Sequence, residues 1–168
     1  MVRRLYFIVG LIACNVAVAQ SVDELDKKGG FKEFKIGDSL SVHQSKVQFT
    51  KTLENADTKL YLVKDLVSVK SYTGEVELEI YKGRVQEVIV SFKNSTKTGF
   101  EDILKSLETL YGPYAKDKDK STALARFEKI FSWSGQKIKL RIGYDENYKL
   151  TELIYSENTS LEKLKEEF

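Results

Sequence analysis

Apolar residues recur along this chain with two different periods, and each period predicts an element. Val76, Leu78 and Ile80 alternate with Glu75, Glu77 and Glu79, and Val88, Val90 and Phe92 continue the two-residue spacing, as half-exposed antiparallel strands do. Between them Tyr81-Lys82-Gly83 fits a three-residue hairpin loop that keeps both apolar sets on one face, with Gly83 able to adopt the left-handed conformation in which such loops end. Residues 59–92 as a whole read as strands. The spacing then lengthens. Phe100, Ile103, Leu104, Leu107, Leu110 and Tyr111 form one stripe of a helix over 99–111, capped by Thr98 with Glu101 and stopped by Gly112-Pro113. Glu101, Asp102, Lys105 and Glu108 occupy its opposite side.

Alternation returns further on. Phe131 and Trp133 lead into Gly135-Gln136, read as a Gly-first hairpin turn, and Ile138, Leu140, Ile142 and Tyr144 mark the return strand. Asp145-Glu146-Asn147-Tyr148 then turns into a strand over 150–155, and Thr159 with Glu162 caps a short last helix carrying Leu161, Leu164 and Phe168. Earlier in the chain, Phe31 to Ile36 predicts a strand that stops at Gly37-Asp38-Ser39. Ser41 with Gln44 predicts a short helix over 41–49, although Leu40 and Val47 fall nearly opposite Val42 and Phe49. Residues 20–30 read as a flexible lead-in and 115–122 as a charged loop. The expected fold is α+β over residues 31–168: an antiparallel sheet of hairpins, two main helices packed on one face and a short C-terminal helix. Strand, helix and strands succeed one another about twice, without a solenoid period.

The N-terminus bears on location. Arg3 and Arg4 precede an apolar run from Leu5 to Val18 that closes on Ala17-Val18-Ala19, so residues 1–19 read as a signal peptide cleaved between Ala19 and Gln20. The run is too short for a bilayer-spanning anchor, which needs about 20 residues. Leu11-Ile12-Ala13-Cys14 also fits a lipobox, in which Cys14 would become a lipidated N-terminus. Free export is the favoured reading, because only 13 residues precede Cys14 and the residues after it stay apolar. The expected location is periplasmic or secreted, with no transmembrane segment after processing.

Cleavage would remove two of the 27 basic residues, none of the 25 acidic ones and the only cysteine. The mature chain is then electrically balanced, which gives no basic footprint for nucleic acid. Without Cys there is no thiol nucleophile and no Cys-based zinc site, and His43 alone cannot supply a His-rich one. No cofactor or metal is expected.

Each remaining candidate for chemistry has a plainer structural reading. His43 lacks a Gly-x-Ser-x-Gly nucleophile motif and reads as a half-exposed structural histidine. Asp145, Glu146 and Asn147, like Asp23, Glu24 and Asp26, lack calcium-loop spacing. Glu75, Glu77 and Glu79 read first as the wet side of a strand, to be met by Lys or Arg across the ladder. Carboxylate-dependent hydrolysis remains their alternative use. The sequons at Asn94 and Asn158 matter only in a eukaryotic source. Trp133 and the tyrosines at 72, 111, 114 and 148 could rim a binding surface, with Trp133 and Tyr111 favoured as core.

Three stretches carry a resemblance: Phe34-x-Ile36-Gly37-Asp38-Ser39, Leu110-Tyr111-Gly112-Pro113 and Trp133-Ser134-Gly135. With this layout they resemble small exported bacterial α+β domains related to the repeat of β-lactamase inhibitory protein and to SmpA/OmlA-type outer-membrane lipoproteins. Lys51 to Asp57 departs from that pattern, having no Gly-x-Pro helix ending. The resemblance implies a protein-binding domain rather than an enzyme. The expected function is a non-catalytic exported module that binds an unidentified protein or envelope component through its sheet face and hairpin loops. Inhibition of an extracytoplasmic enzyme and carboxylate-dependent hydrolysis are the alternatives.

Overall fold

The computed structural model of the chain describes residues 21–54, 57–117, 126–127 and 129–159. In chain order they form α1 (Asp23–Lys28), β1 (Gly30–Phe31), β2 (Phe34–Lys35), α2 (Leu40–His43), β3 (Val47–Thr52), β4 (Thr58–Val63) and β5 (Val67–Val69). Then follow β6 (Tyr72–Tyr81), β7 (Arg84–Phe92), α3 (Lys97–Tyr111), β8 (Ala115–Lys116), β9 (Ile130–Ser134), β10 (Ile138–Asp145) and β11 (Leu150–Glu157). The fold mixes helix and strand and is dominated by one antiparallel sheet. Its strand order is β3-β4-β6-β7-β11-β10-β9-β8, with β5 on the first residues of β6 and β1-β2 as a separate ribbon.

That order consists of two meanders, β3-β4-β6-β7 and β8-β9-β10-β11, each preceded by a helix and joined last strand to last strand. The seam pairs Val88 with Tyr155, Val90 with Leu153 and Phe92 with Thr151. Val76 and Leu78 pair with Val90 and Val88 on one side, and Leu140 and Ile142 with Tyr155 and Leu153 on the other. The apolar rows of both meanders therefore share one face. Phe100, Ile103, Leu104, Leu107 and Tyr111 of α3 are buried with them in a single core.

Among the described residues only α3 is a long helix, so the expected second main helix over 41–49 is corrected. Over 41–49 the helix stops after four residues at His43, and β3 begins at Val47. Val47 and Phe49 are spaced for a strand face and pair with Val63 and Tyr61 of β4. Thr50 and Thr52 add β-branched residues that favour the same outcome. α3 starts two residues before the expected helix, with the Thr96 hydroxyl accepting the Gly99 N–H at 3.1 Å. Leu110, assigned to its packed stripe, is 40% exposed. The expected C-terminal helix lies outside the described residues.

Residues 20–30 are not a loose lead-in from Asp23 onward. α1 buries Leu25 completely and ends at Gly29, whose left-handed backbone (φ 66°) turns its N–H onto the Leu25 carbonyl. Asp23 and Glu24 in its first turn and Lys27 and Lys28 in its last match the helix dipole. The sequence therefore held this signal before Gly29-Gly30.

The two hairpin turns also differ from expectation. Between β6 and β7 the loop has two residues, Lys82 and Gly83, both with positive φ (48° and 80°), because Tyr81 pairs directly with Arg84. The apolar rows stay on one face because Gln86 is bulged out between Val85 and Glu87. At the β9–β10 turn Gly135 has no positive φ. Its need for glycine is spatial: an added Cβ would lie 2.4 Å from the Asp26 carboxylate. That carboxylate accepts the N–H groups of Gln136, Lys137 and Ile138 at 2.6, 2.9 and 2.9 Å. α1 is thereby tied to a turn more than a hundred residues away.

This tie has a measurable weight. Asp26→Ala removes a charged acceptor shared by three backbone donors and should cost about 1.5–3 kcal/mol in a urea titration. Lys27→Ala, on the exposed side of the same helix, should stay within about 0.5 kcal/mol. Equal costs would show that Asp26 contributes nothing special.

Candidate functional site

The sheet face turned away from α3 carries the polar half of each alternating strand. Read across it, Glu75, Glu77 and Glu79 of β6 are followed by Glu87, Ile89 and Ser91 of β7, then by Ser156, Ile154 and Glu152 of β11. Lys139, Arg141 and Gly143 of β10 continue the surface.

Most charges on this face have partners. Lys93 donates to both oxygens of Glu75 at 2.7 and 2.9 Å. Ser91 donates to Glu152 at 3.0 Å, and Arg126 ion-pairs with the same carboxylate. Lys139 and Arg141 both reach Asp117, at 2.9 and 3.1 Å. The expected cross-ladder cation is thus present for Glu75. For Glu79 it is not: the residue directly opposite is Glu87.

Among the described residues neither the Glu79 nor the Glu87 carboxylate has a hydrogen bond or an ion pair. Burial raises the Glu79 carboxyl above its ordinary range. The Glu87 carboxyl is raised to about 7, first by burial and then by the charge of Glu79, with Arg141 pulling it down. Like charges directly opposed on a ladder are destabilising, and a half-dried site raises that cost.

The pair lies in a groove of ≈ 1090 Å³ where the β6–β7 turn, the start of β10 and the end of β11 converge. Lys35, Ile36 and Gly37 form one wall, while Gln136 and Lys137 form another. A second hollow of ≈ 810 Å³ adjoins it toward β3 and shares Glu79, Tyr81 and Gln86. Lys82, Arg84, Lys137, Glu79, Glu87 and Glu157 all line the larger groove, and none of these six makes an ion pair among the described residues.

The other sequence candidates are dispersed. His43 is buried rather than half-exposed; it packs against Phe34 at 5.0 Å, with Nε2 2.9 Å from an Asp38 oxygen. Asp145 is buried, and its carboxylate accepts the N–H groups of Asn147 and Tyr148, which closes the β10–β11 turn. Asn158 is also buried and donates from its amide to Gly135 at 2.6 Å, whereas Asn94 is exposed. Tyr111 and Trp133 are buried, Tyr114 packs edge-on against Trp133, and the indole N–H donates to Gly112 at 2.8 Å. Tyr72 bonds Asp102 and Tyr148 is solvent-exposed, so these aromatics do not assemble into one rim. Cys14, Ala19 and Gln20 lie outside the described residues. Sequence reasoning missed Glu87, whose signal was an acidic residue near the start of the strand paired with the glutamate row.

Comparison with protein-family models, curated proteins and solved structures found no match to this chain. Among the described residues no helix is long and apolar enough to cross a membrane.

Beside the groove the same face has a small apolar plug. Phe127 packs with Ile130, Ile154 and Ile89, and its ring lies over Gly143, where an added Cβ would come within 2.6 Å. Gly143→Ala should therefore cost about 1–3 kcal/mol through overpacking. In a Phe127→Ala background the same substitution should be nearly neutral. A double-mutant cycle by urea titration measures the coupling, and additive costs would mean that the ring does not set the need for glycine.

Proposed function

We propose that this protein is an exported, non-catalytic module that binds a protein or other envelope component through the open sheet face and the groove at its turn end. The observation that supports it is the groove itself, lined by cations and carboxylates that have no ion-pair partner among the described residues. Charges left unpaired in a concavity suit a partner that brings its own of both signs. A polypeptide surface does so, while a polyanion such as nucleic acid would meet Glu79, Glu87 and Glu157. The narrower form, an extracytoplasmic enzyme as the partner, rests on the resemblance to the β-lactamase inhibitory repeat.

A second reading, carboxylate-dependent hydrolysis, has the Glu79–Glu87 pair in its favour, since two carboxyls in unequal surroundings can divide acid and base roles. Against it, adjacent ladder positions send both side chains out side by side, whereas a glycosidase needs carboxyls flanking the scissile bond.

The tests follow from the groove. Immobilised mature protein should retain a specific partner from envelope extract of its own cell. Lys137→Glu combined with Glu157→Lys should lower that recovery at least about tenfold. Equal recovery by the variant, or no partner for either, would remove the groove reading. Turnover of ester, peptide or glycoside substrates that both Glu79→Gln and Glu87→Gln abolish would replace it with the hydrolase.

Location is proposed from the N-terminal pattern. Intact-mass measurement of protein made by its own cell should give a chain beginning at Gln20 without lipid. A diacyl-modified Cys14 at the N-terminus would place the protein on a membrane surface instead.

A further inference from the structure

The Glu79–Glu87 pair stands at the weakest point of the β6–β7 ladder. Glu79 pairs with Glu87 and the next pair is Ile80 with Val85, so Gln86 is bulged out immediately beside the two carboxylates. Beyond the bulge, the turn end holds the segment that follows β2. Gly37 donates its N–H to Val85, Val85 to Asp38 and Leu40 to Gly83, each at 2.8–2.9 Å. Arg84 adds a bond to the Gly37 carbonyl at 3.0 Å. Ile36 and Gly37 are groove wall, so whatever loosens this end of the ladder also moves that wall.

The pair has no side-chain hydrogen bond or ion pair among the described residues, and the charges around it are of both signs. From β6, Glu77 and Tyr81 share its face; from β4 Leu60 stands opposite Glu79, and beyond it Lys51 of β3 and Glu54 line the adjoining hollow. From β11 the facing residue is Ser156. From β10 come Lys139 and Arg141, both bound to Asp117 after β8. Arg141 draws the Glu87 carboxyl down, and Lys35, Lys82, Arg84, Lys137 and Glu157 line the same groove.

We propose that Glu79 and Glu87 form a pH-sensitive switch: while the pair holds a proton the turn end of the sheet is closed, and when both carboxylates ionise their repulsion opens the bulged ladder and releases the groove wall. The direction follows from the shift. The Glu87 carboxyl is raised in the folded protein to about 7 from its ordinary 4.5. Its contribution is complete below the unfolded value and is lost as pH rises through the folded one. The closed state is therefore favoured below about pH 6 and weakened above about pH 7.

Amide exchange on the protein without any ligand tests this, independently of whether the groove binds a partner. Protection factors for Gly37, Leu40 and Val85 should fall at least about tenfold between pH 6 and 8. Those of Ile142 and Leu153, in the seam half of the sheet, should stay level. Glu87→Gln should abolish the fall and Glu79→Gln should reduce it, and the Glu87 carboxyl resonance should titrate near 7 in the native chain and lower in Glu79→Gln. Level protection across this range, a fall that survives both substitutions, or a Glu87 midpoint near 4.5 would overturn the switch.

Discussion

The pairing of β7 with β11 is the constraint on which the remainder of the structure depends. Each meander on its own connects strands that are neighbours in the chain. Without the seam there would be a five-stranded and a four-stranded sheet, each with its last strand exposed as an edge. Val88 opposite Tyr155 and Val90 opposite Leu153 align the two apolar rows, so one helix, α3, can be buried against both. The seam also decides what the other face contains, because it brings Glu87 beside Ser156 and Ser91 beside Glu152. Its partners are some 60 residues apart, so loop-closure entropy opposes the contact until burial repays it.

The polar face shows how a sheet manages charge when one side is committed to the core. Glu75, Glu152 and Asp117 each have a cation, and Ser91 adds a neutral donor to Glu152. Against that background the Glu79–Glu87 contact is a local conflict. It sits at a bulge and in a concavity, with apolar Leu60 on its far side. Such conflicts are expected where a fold serves something other than its own stability.

The groove has walls because two short N-terminal elements dock at the turn end. Asp26 satisfies three donors of the β9–β10 turn, and backbone bonds from residues 37–40 stitch the segment after β2 to the β6–β7 turn. Both attachments have a polar part at the margin of the sheet and an apolar part, Leu25, Phe31 and Phe34, in the core. The rest of the core is held through α3 and the seam.

Local chemistry was legible from the sequence alone. The two-residue spacing around Val76–Ile80 and Val88–Phe92 predicts a hairpin with one apolar face, and the stripe from Phe100 to Tyr111 predicts α3. Those patterns are fixed by backbone periodicity and need no partner. The acidic-to-basic gradient of α1 and its Gly29 stop were equally local and were passed over as a lead-in. The 41–49 segment was ambiguous because a capping pattern competed with Val47-x-Phe49 alternation, and only the presence of β4 beside it settled the matter. Glu79 was visible as part of a glutamate row, but its partner was not, since the bulge at Gln86 sets which residue stands opposite. The same holds for Gly135 and Gly143, whose reasons are the Asp26 carboxylate and the Phe127 ring. Sequence determined which residues of the long strands and of α3 face the core, Leu110 excepted. Tertiary structure alone decided which polar residues meet, because register and seam are set by contacts between segments that carry no record of one another.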